Sequence, residues 1–156
     1  MIGNDIVDLS IAAKESNWAR TGYLEKIFTT AERFHIQVAK DPQIMVWLMW
    51  TMKEAAYKAY SRETKFRTFA PTLICCNNLI LHDETASGDL FYEGKVFYSQ
   101  SSIAQNYIHT IASEKASVLK DINPKISDYN EFDNSYRSTH PASVSHHGHY
   151  LALIYL

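Results

Sequence analysis

The chain is short of the residues that would make it a secreted, membrane-spanning or nucleic-acid-coating protein. It has only two cysteines, Cys75 and Cys76, and they are adjacent. Neighbouring cysteines cannot easily form an ordinary disulfide with each other, and two are too few for a framework of disulfide staples. They are expected to be reduced thiols on a strand, in a cytoplasmic setting. No apolar run approaches the roughly 20 residues needed to cross a bilayer, and Met1 leads into Ile2-Gly3-Asn4-Asp5 with no basic-then-apolar leader. A basic excess is missing too: 15 Lys and Arg face 17 Asp and Glu, a formal charge of −2, which argues against a general nucleic-acid binder. Five glycines and four prolines in 156 residues leave no low-complexity linker. What is present is 46% hydrophobic residues, enough to bury the core of one domain over 1–156.

Hydrophobic periodicity predicts the elements in order. Met1–Leu9 reads as a strand ending in the carboxylates Asp5 and Asp8. Ile11–Ile27 suits a loop with short helices whose exposed side is mildly basic through Lys14, Arg20 and Lys26. Thr29 and Glu32 form a capping-box pattern opening a helix to about Lys40, which Asp41-Pro42 stops. A second helix is expected from Pro42 to about Ser61, followed by a basic loop with Arg62, Lys65 and Arg67. Strands are expected over 72–81, 90–98 and 107–113, with polar connections at 82–88 and 99–105. Residues 121–141 read as an exposed excursion, and 142–156 as a final strand. The fold class implied is α+β.

Three polar groups stand out. Glu54 and Lys58 lie one turn apart on the helix, and at about 100° per residue Thr51, Glu54 and Lys58 fall within roughly 60° of one another. The ordinary reading of such a pair is a surface ion pair worth about 0.2–0.5 kcal/mol. The alternative is a narrow charged stripe facing a cleft. Asp5 is either a turn carboxylate or part of a hard-cation site, since magnesium needs only one or two protein carboxylates. Asp5 with Glu54 would suffice. Finally, His146, His147 and His149 are crowded near the carboxyl end. Strand neighbours point to opposite faces, so His147 and His149 could share a zinc ion while His146 turns away, but no nearby cysteine or acid completes a zinc motif. Ser145 beside His146 is no hydrolase dyad, because adjacent strand residues diverge and no G-x-S-x-G elbow is present.

The order Gly3-Asn4-Asp5-Ile6, then Phe28-Thr29-Thr30-Ala31-Glu32, then Trp50-Thr51-Met52-Lys53-Glu54-Ala55-Ala56-Tyr57-Lys58, resembles the 4′-phosphopantetheinyl transferase superfamily, whose motifs read G-x-D-[IV], F-[TS]-x-x-E and W-x-x-K-E-[AS]-x-x-K. Ser143-Val144-Ser145-His146 is similar to the S-x-S-H element of its short, holo-acyl-carrier-protein synthase branch. Residues 61–141 match only loosely. The resemblance implies an antiparallel sheet flanked by helices and the transfer of 4′-phosphopantetheine from coenzyme A to a serine of an acyl or peptidyl carrier protein. It implies magnesium on Asp5 and Glu54, and Lys58 on the coenzyme A pyrophosphate. Ser145 and His146 would close the coenzyme A site, and Glu54, acting through a water, or His146 would serve as base. Val7 stands where long members carry a further acid, so a water would replace that ligand, and Asp8 is expected in a structural role. The family's glycine-rich turn after the lysine helix is replaced here by 61–67, where Arg62 and Lys65 are the candidate coenzyme A contacts. The resemblance further implies a homotrimer and gives Lys14, Arg20 and Lys26 a docking role toward an acidic carrier. The rivals are a non-catalytic carrier-protein or coenzyme A binding domain of the same fold, and a zinc-binding histidine protein.

Overall fold

A computed structural model describes residues 1–156. The chain runs β1 (Ile2–Asp8), α1 (Leu9–Glu15), α2 (Thr30–Val38), α3 (Pro42–Thr64), β2 (Cys75–His82), β3 (Thr85–Tyr92), β4 (Lys95–Ile103), β5 (Tyr107–Ser113), α4 (Ala116–Leu119), β6 (Lys125–Asp128), β7 (Ser143–His147) and β8 (Tyr150–Ile154), with 3₁₀ turns at Leu24–Lys26, Pro71–Leu73 and Ser135–Thr139. Five strands form an antiparallel sheet in the order β1-β5-β4-β3-β2, and a smaller sheet has the order β6-β8-β7. The fold is α+β, an antiparallel sheet with helices against it.

The long helix α3 is the organising element. Asp41 caps it, accepting from the Ile44 N–H, and Pro42 supplies the preset φ of a first turn. Leu48, Met49, Met52, Ala55, Ala56 and Ala59 are fully buried against the sheet. The small residues at 55 and 59 let β1 come close: a Cβ on Gly3 would stand 2.6 Å from the Ala59 backbone nitrogen. A buried hydroxyl chain also joins helix and sheet, with Thr51 to Thr110 and Thr110 to Ser101 each at 2.7 Å.

Helix α2 carries the capping box that its sequence predicts, since Thr29 and Glu32 exchange hydrogen bonds at 2.8 and 3.3 Å. Glu32 does more than cap. It receives the Lys53 ammonium at 2.6 Å and the Cys76 N–H at 2.7 Å, and Lys53 spends its other protons on the carbonyls of Ile27 and Pro71. Both side chains are shut off from solvent. Two motif residues thus pin α2, α3 and the start of β2 together.

Several boundaries differ from the expectations. β1 is buried on both faces, so Asp5 lies mid-strand rather than at a strand end. α3 continues to Thr64, which makes Arg62 helical, and Lys65 closes the helix with φ 63°. Thr72 and Leu73 belong to the 3₁₀ turn Pro71–Leu73, and the strand starts only at Cys75. The polar stretches 82–88 and 99–105 are largely strand: β3 starts at Thr85 and β4 runs to Ile103, because Ser99 and Ser101 are buried with hydrogen bonds to Gly88 O and Thr110. The 121–141 excursion contributes β6, paired with β8. The last segment is a hairpin, β7–β8, turning at Gly148 with φ 54°.

Candidate active site

β1 lies between two partners. Its inner side pairs with β5 from Ile2↔Ser113 to Asp8↔Tyr107. Its outer N–H groups, at Asn4, Ile6 and Asp8, have no strand ladder; side chains of β7 accept from them instead. Ser143 Oγ accepts from Asn4 N at 3.0 Å, Ser145 Oγ from Ile6 N at 3.1 Å, and His147 Nδ1 from Asp8 N at 2.9 Å. The period-2 alternation of Ser143, Ser145 and His147 puts all three on this edge. Accepting at Nδ1 leaves the His147 proton on Nε2, which is 3.5 Å from Glu15.

Asp5 projects from the middle of this edge and is 7% exposed. Its Oδ1 accepts from Lys58 Nζ at 2.8 Å and from Ser145 Oγ at 3.1 Å. Lys58 also donates to Asn4 O at 3.0 Å and Ser145 Oγ at 3.2 Å. The lysine's near partner is therefore Asp5, not the Glu54 that its spacing pairs it with on the helix. Glu54 stands on the same face of α3, half-buried. Burial, then the neighbouring Asp5 carboxylate, raise its pKa to about 7, against the attraction of Lys58. No hydrogen bond steadies its charge.

Asp5 and Glu54 are near enough for the charge of one to raise the pKa of the other, and two such carboxylates, one of them poor in donors, are the kind of ligands a hard cation takes. No group of three or more His, Cys, Asp or Glu side chains is placed to hold a metal ion, so the set does not fit a metal caged by protein ligands alone. It fits magnesium, which fills its octahedron from water and phosphate oxygens.

The other expected residues lie around this centre. Ser145 is buried, with its hydroxyl committed beneath Asp5 rather than presented outward. His146 is exposed and stacks on Tyr129 with ring centroids 4.1 Å apart. Arg62 lies one turn beyond Lys58, half-buried, with its pKa lowered by burial. Lys65 is exposed and bonds the Arg62 carbonyl. Asp8 is the N-cap of α1 and accepts from both the backbone and the Nδ1–H of His149 at 2.9 and 2.8 Å. Burial pushes its pKa up, and the His149 and Ile11 hydrogen bonds more than offset that, leaving it below the ordinary value. His147 and His149 are thus engaged with different atoms of Asp8.

Beside Asp5 opens a cavity of about 330 Å³ lined by Val7, Tyr23, Trp47, Trp50, His146 and His147. Trp47, one of the lining residues, has a buried indole N–H without a partner. The aromatic lining escapes sequence reasoning, which reads Ser143 as a motif residue and His147 as a candidate zinc ligand, not as acceptors for the β1 edge. The alternation Ser-x-Ser-x-His is the visible sign of that role, unreadable without knowing that β1, 139 residues away, lies alongside.

The fold and site together define an α+β protein with a carboxylate–lysine cleft at the edge of its main sheet. A model of the 4′-phosphopantetheinyl transferase superfamily matches residues 1–112. The chain belongs to that superfamily. It is also similar to a holo-[acyl-carrier-protein] synthase of Verminephrobacter eiseniae (strain EF01-2), 36% identical over 59 residues, which is 38% of this chain and 45% of that protein. The similarity spans less than half of that relative's length. No helix is long and apolar enough to cross a membrane.

Proposed function

We propose that the protein transfers the 4′-phosphopantetheine group of coenzyme A to a serine of an acyl or peptidyl carrier protein, releasing 3′,5′-ADP. The observation that carries this reading is the convergence of Asp5, Glu54 and Lys58 at one sheet edge, in a chain of this superfamily.

Asp5 and Glu54 would hold a magnesium ion. When bound, the ion supplies positive charge to the pyrophosphate and offsets the charge that builds on its oxygens during displacement. Lys58 adds its ammonium to the same phosphates, by the positioning and electrostatic logic of phosphoryl transfer. Glu54 takes the serine proton through a water as the first candidate base, with His146 on the rim as the second. The serine oxygen forms its bond to the β-phosphorus as the bond to 3′,5′-ADP breaks. Arg62 and Lys65 lie along and beyond the same helix face and are assigned to the anionic remainder of coenzyme A. Lys14, Arg20 and Lys26 are all exposed, which suits an acidic carrier surface. The working form is proposed to be a cytoplasmic homotrimer with the site completed by a neighbouring subunit.

Incubation with coenzyme A, magnesium and a panel of apo carrier proteins tests the reading. The expected result is a mass gain of one phosphopantetheine on the carrier, abolished by Asp5→Asn and by Glu54→Gln. Coenzyme A binding with no gain on any carrier would establish the non-catalytic alternative instead.

A further inference from the structure

The Ser145 hydroxyl has one proton to give and two lone pairs to offer. The Ile6 N–H and the Lys58 ammonium occupy the lone pairs, at 3.1 and 3.2 Å. Its proton is thereby left for one acceptor, Asp5 Oδ1 at 3.1 Å. The three hydrogens of Lys58 are spent in turn on Asn4 O, Asp5 Oδ1 and Ser145 Oγ. Every hydrogen bond to the Asp5 carboxylate therefore falls on Oδ1, and Oδ2 stays open.

We infer that Ser145 is a positioning residue for the acid of the metal site: it fixes the Asp5 carboxylate in the rotation that offers Oδ2 to a divalent cation. Its neighbour on the ladder supplies the contrast. Ser143 makes the same kind of bond to the β1 edge, accepting from Asn4 N at 3.0 Å and from Asn4 Nδ2 at 2.7 Å, but it does not touch Asp5. The two serines share the task of covering the edge, and only Ser145 also orients the acid. The inference rests on the magnesium reading of Asp5 and Glu54. It goes further in giving a buried hydroxyl control over the affinity of that site.

The test measures Mn²⁺ binding by electron paramagnetic resonance in the wild type and in Ser145→Ala, Ser145→Thr, Ser143→Ala and Asp5→Asn, after melting curves show each variant folded at the assay temperature. Groups that orient a metal ligand from behind typically govern affinity by about 10- to 100-fold. Ser145→Ala is expected to weaken Mn²⁺ by that factor, and Ser145→Thr, which keeps the hydroxyl, to restore most of it. Ser143→Ala should stay within about two-fold of the wild type. In carrier-modification assays, Ser145→Ala should need correspondingly more magnesium for half-maximal rate and approach the wild-type rate at saturating magnesium. Equal losses in Ser143→Ala and Ser145→Ala, or unchanged affinity in Ser145→Ala, would overturn the positioning role while Asp5→Asn still reported a metal site. A wild type that bound no Mn²⁺, or one that Asp5→Asn matched, would instead overturn the metal reading and the inference with it.

Discussion

Glu54 is an acid whose folded environment favours its neutral form. Burial and the Asp5 carboxylate raise its pKa from 4.5 to about 7. An acid with a raised folded pKa binds more protons folded than unfolded between those two values, so stability declines as pH rises through that window. In the presence of a chelator, the wild type should lose up to about 3 kcal/mol between pH 4.5 and pH 8 relative to Glu54→Gln, which carries no charge there. Paired thermal melts across that range measure it, and parallel curves would refute the assignment. Added magnesium at pH 8 should raise the melting temperature of the wild type and leave Glu54→Gln unmoved. The helical spacing of Glu54 and Lys58 made this stripe visible in the sequence, and the resemblance tied it to Asp5. The direct Lys58–Asp5 bond was not legible, because a helix pattern says nothing about which strand will lie against it.

At the scale of elements, two junctions hold the site in place. The first is the buried Lys53–Glu32 pair, where Lys53 is pushed toward its neutral form by burial and pulled back by Glu32. Lys53→Met would leave the Glu32 carboxylate buried and short of its charge partner, a loss of about 3–5 kcal/mol, readable as a lower urea midpoint. A loss under about 1 kcal/mol would mean the pair is dispensable. The second junction is the approach of β1 to α3 at Gly3. Gly3→Ala would drive a methyl into the Ala55 and Ala59 backbone, and neither group can swing aside as a side-chain tip could. Overpacking of this kind costs typically 1–3 kcal/mol and sometimes more, and the expected result lies at or above about 3 kcal/mol, with transfer activity lost because Asp5 moves. An unperturbed melting curve would show that the helix can retreat. The capping box marked the start of α2 and Asp41-Pro42 the break before α3, since Thr29, Glu32 and Pro42 act locally. Strand ends were misread wherever polar residues face inward. Ser99 and Ser101 look like loop residues until β3 and β5 supply their hydrogen-bond partners, and β6 is too short and polar to announce itself before β8 lies beside it.

For the whole molecule, the proposed trimer predicts a solution mass three times that of the chain, by light scattering coupled to gel filtration. A monomer that still modifies its carrier would remove the need for a shared site. A mixing experiment goes further: two inactive variants, one altered at Asp5 and one on the neighbour's contribution to the cleft, should regain activity together if each site draws on two subunits. The order of family motifs showed which superfamily the chain belongs to, and the subunit arrangement lay outside what one chain's pattern encodes.

The ladder of Ser143, Ser145 and His147 on β1 also bears on how the protein is made. Asp5 leaves the ribosome well before the hydroxyl that seats it, which lies 140 positions behind. A nascent chain already carrying all of residues 1–112, the part that marks the superfamily, still has a bare strand edge and an acid without its hydroxyl partner. Nascent chains stalled just short of residue 143 should therefore be open to proteolysis at β1, and become resistant only when the closing hairpin has cleared the exit tunnel.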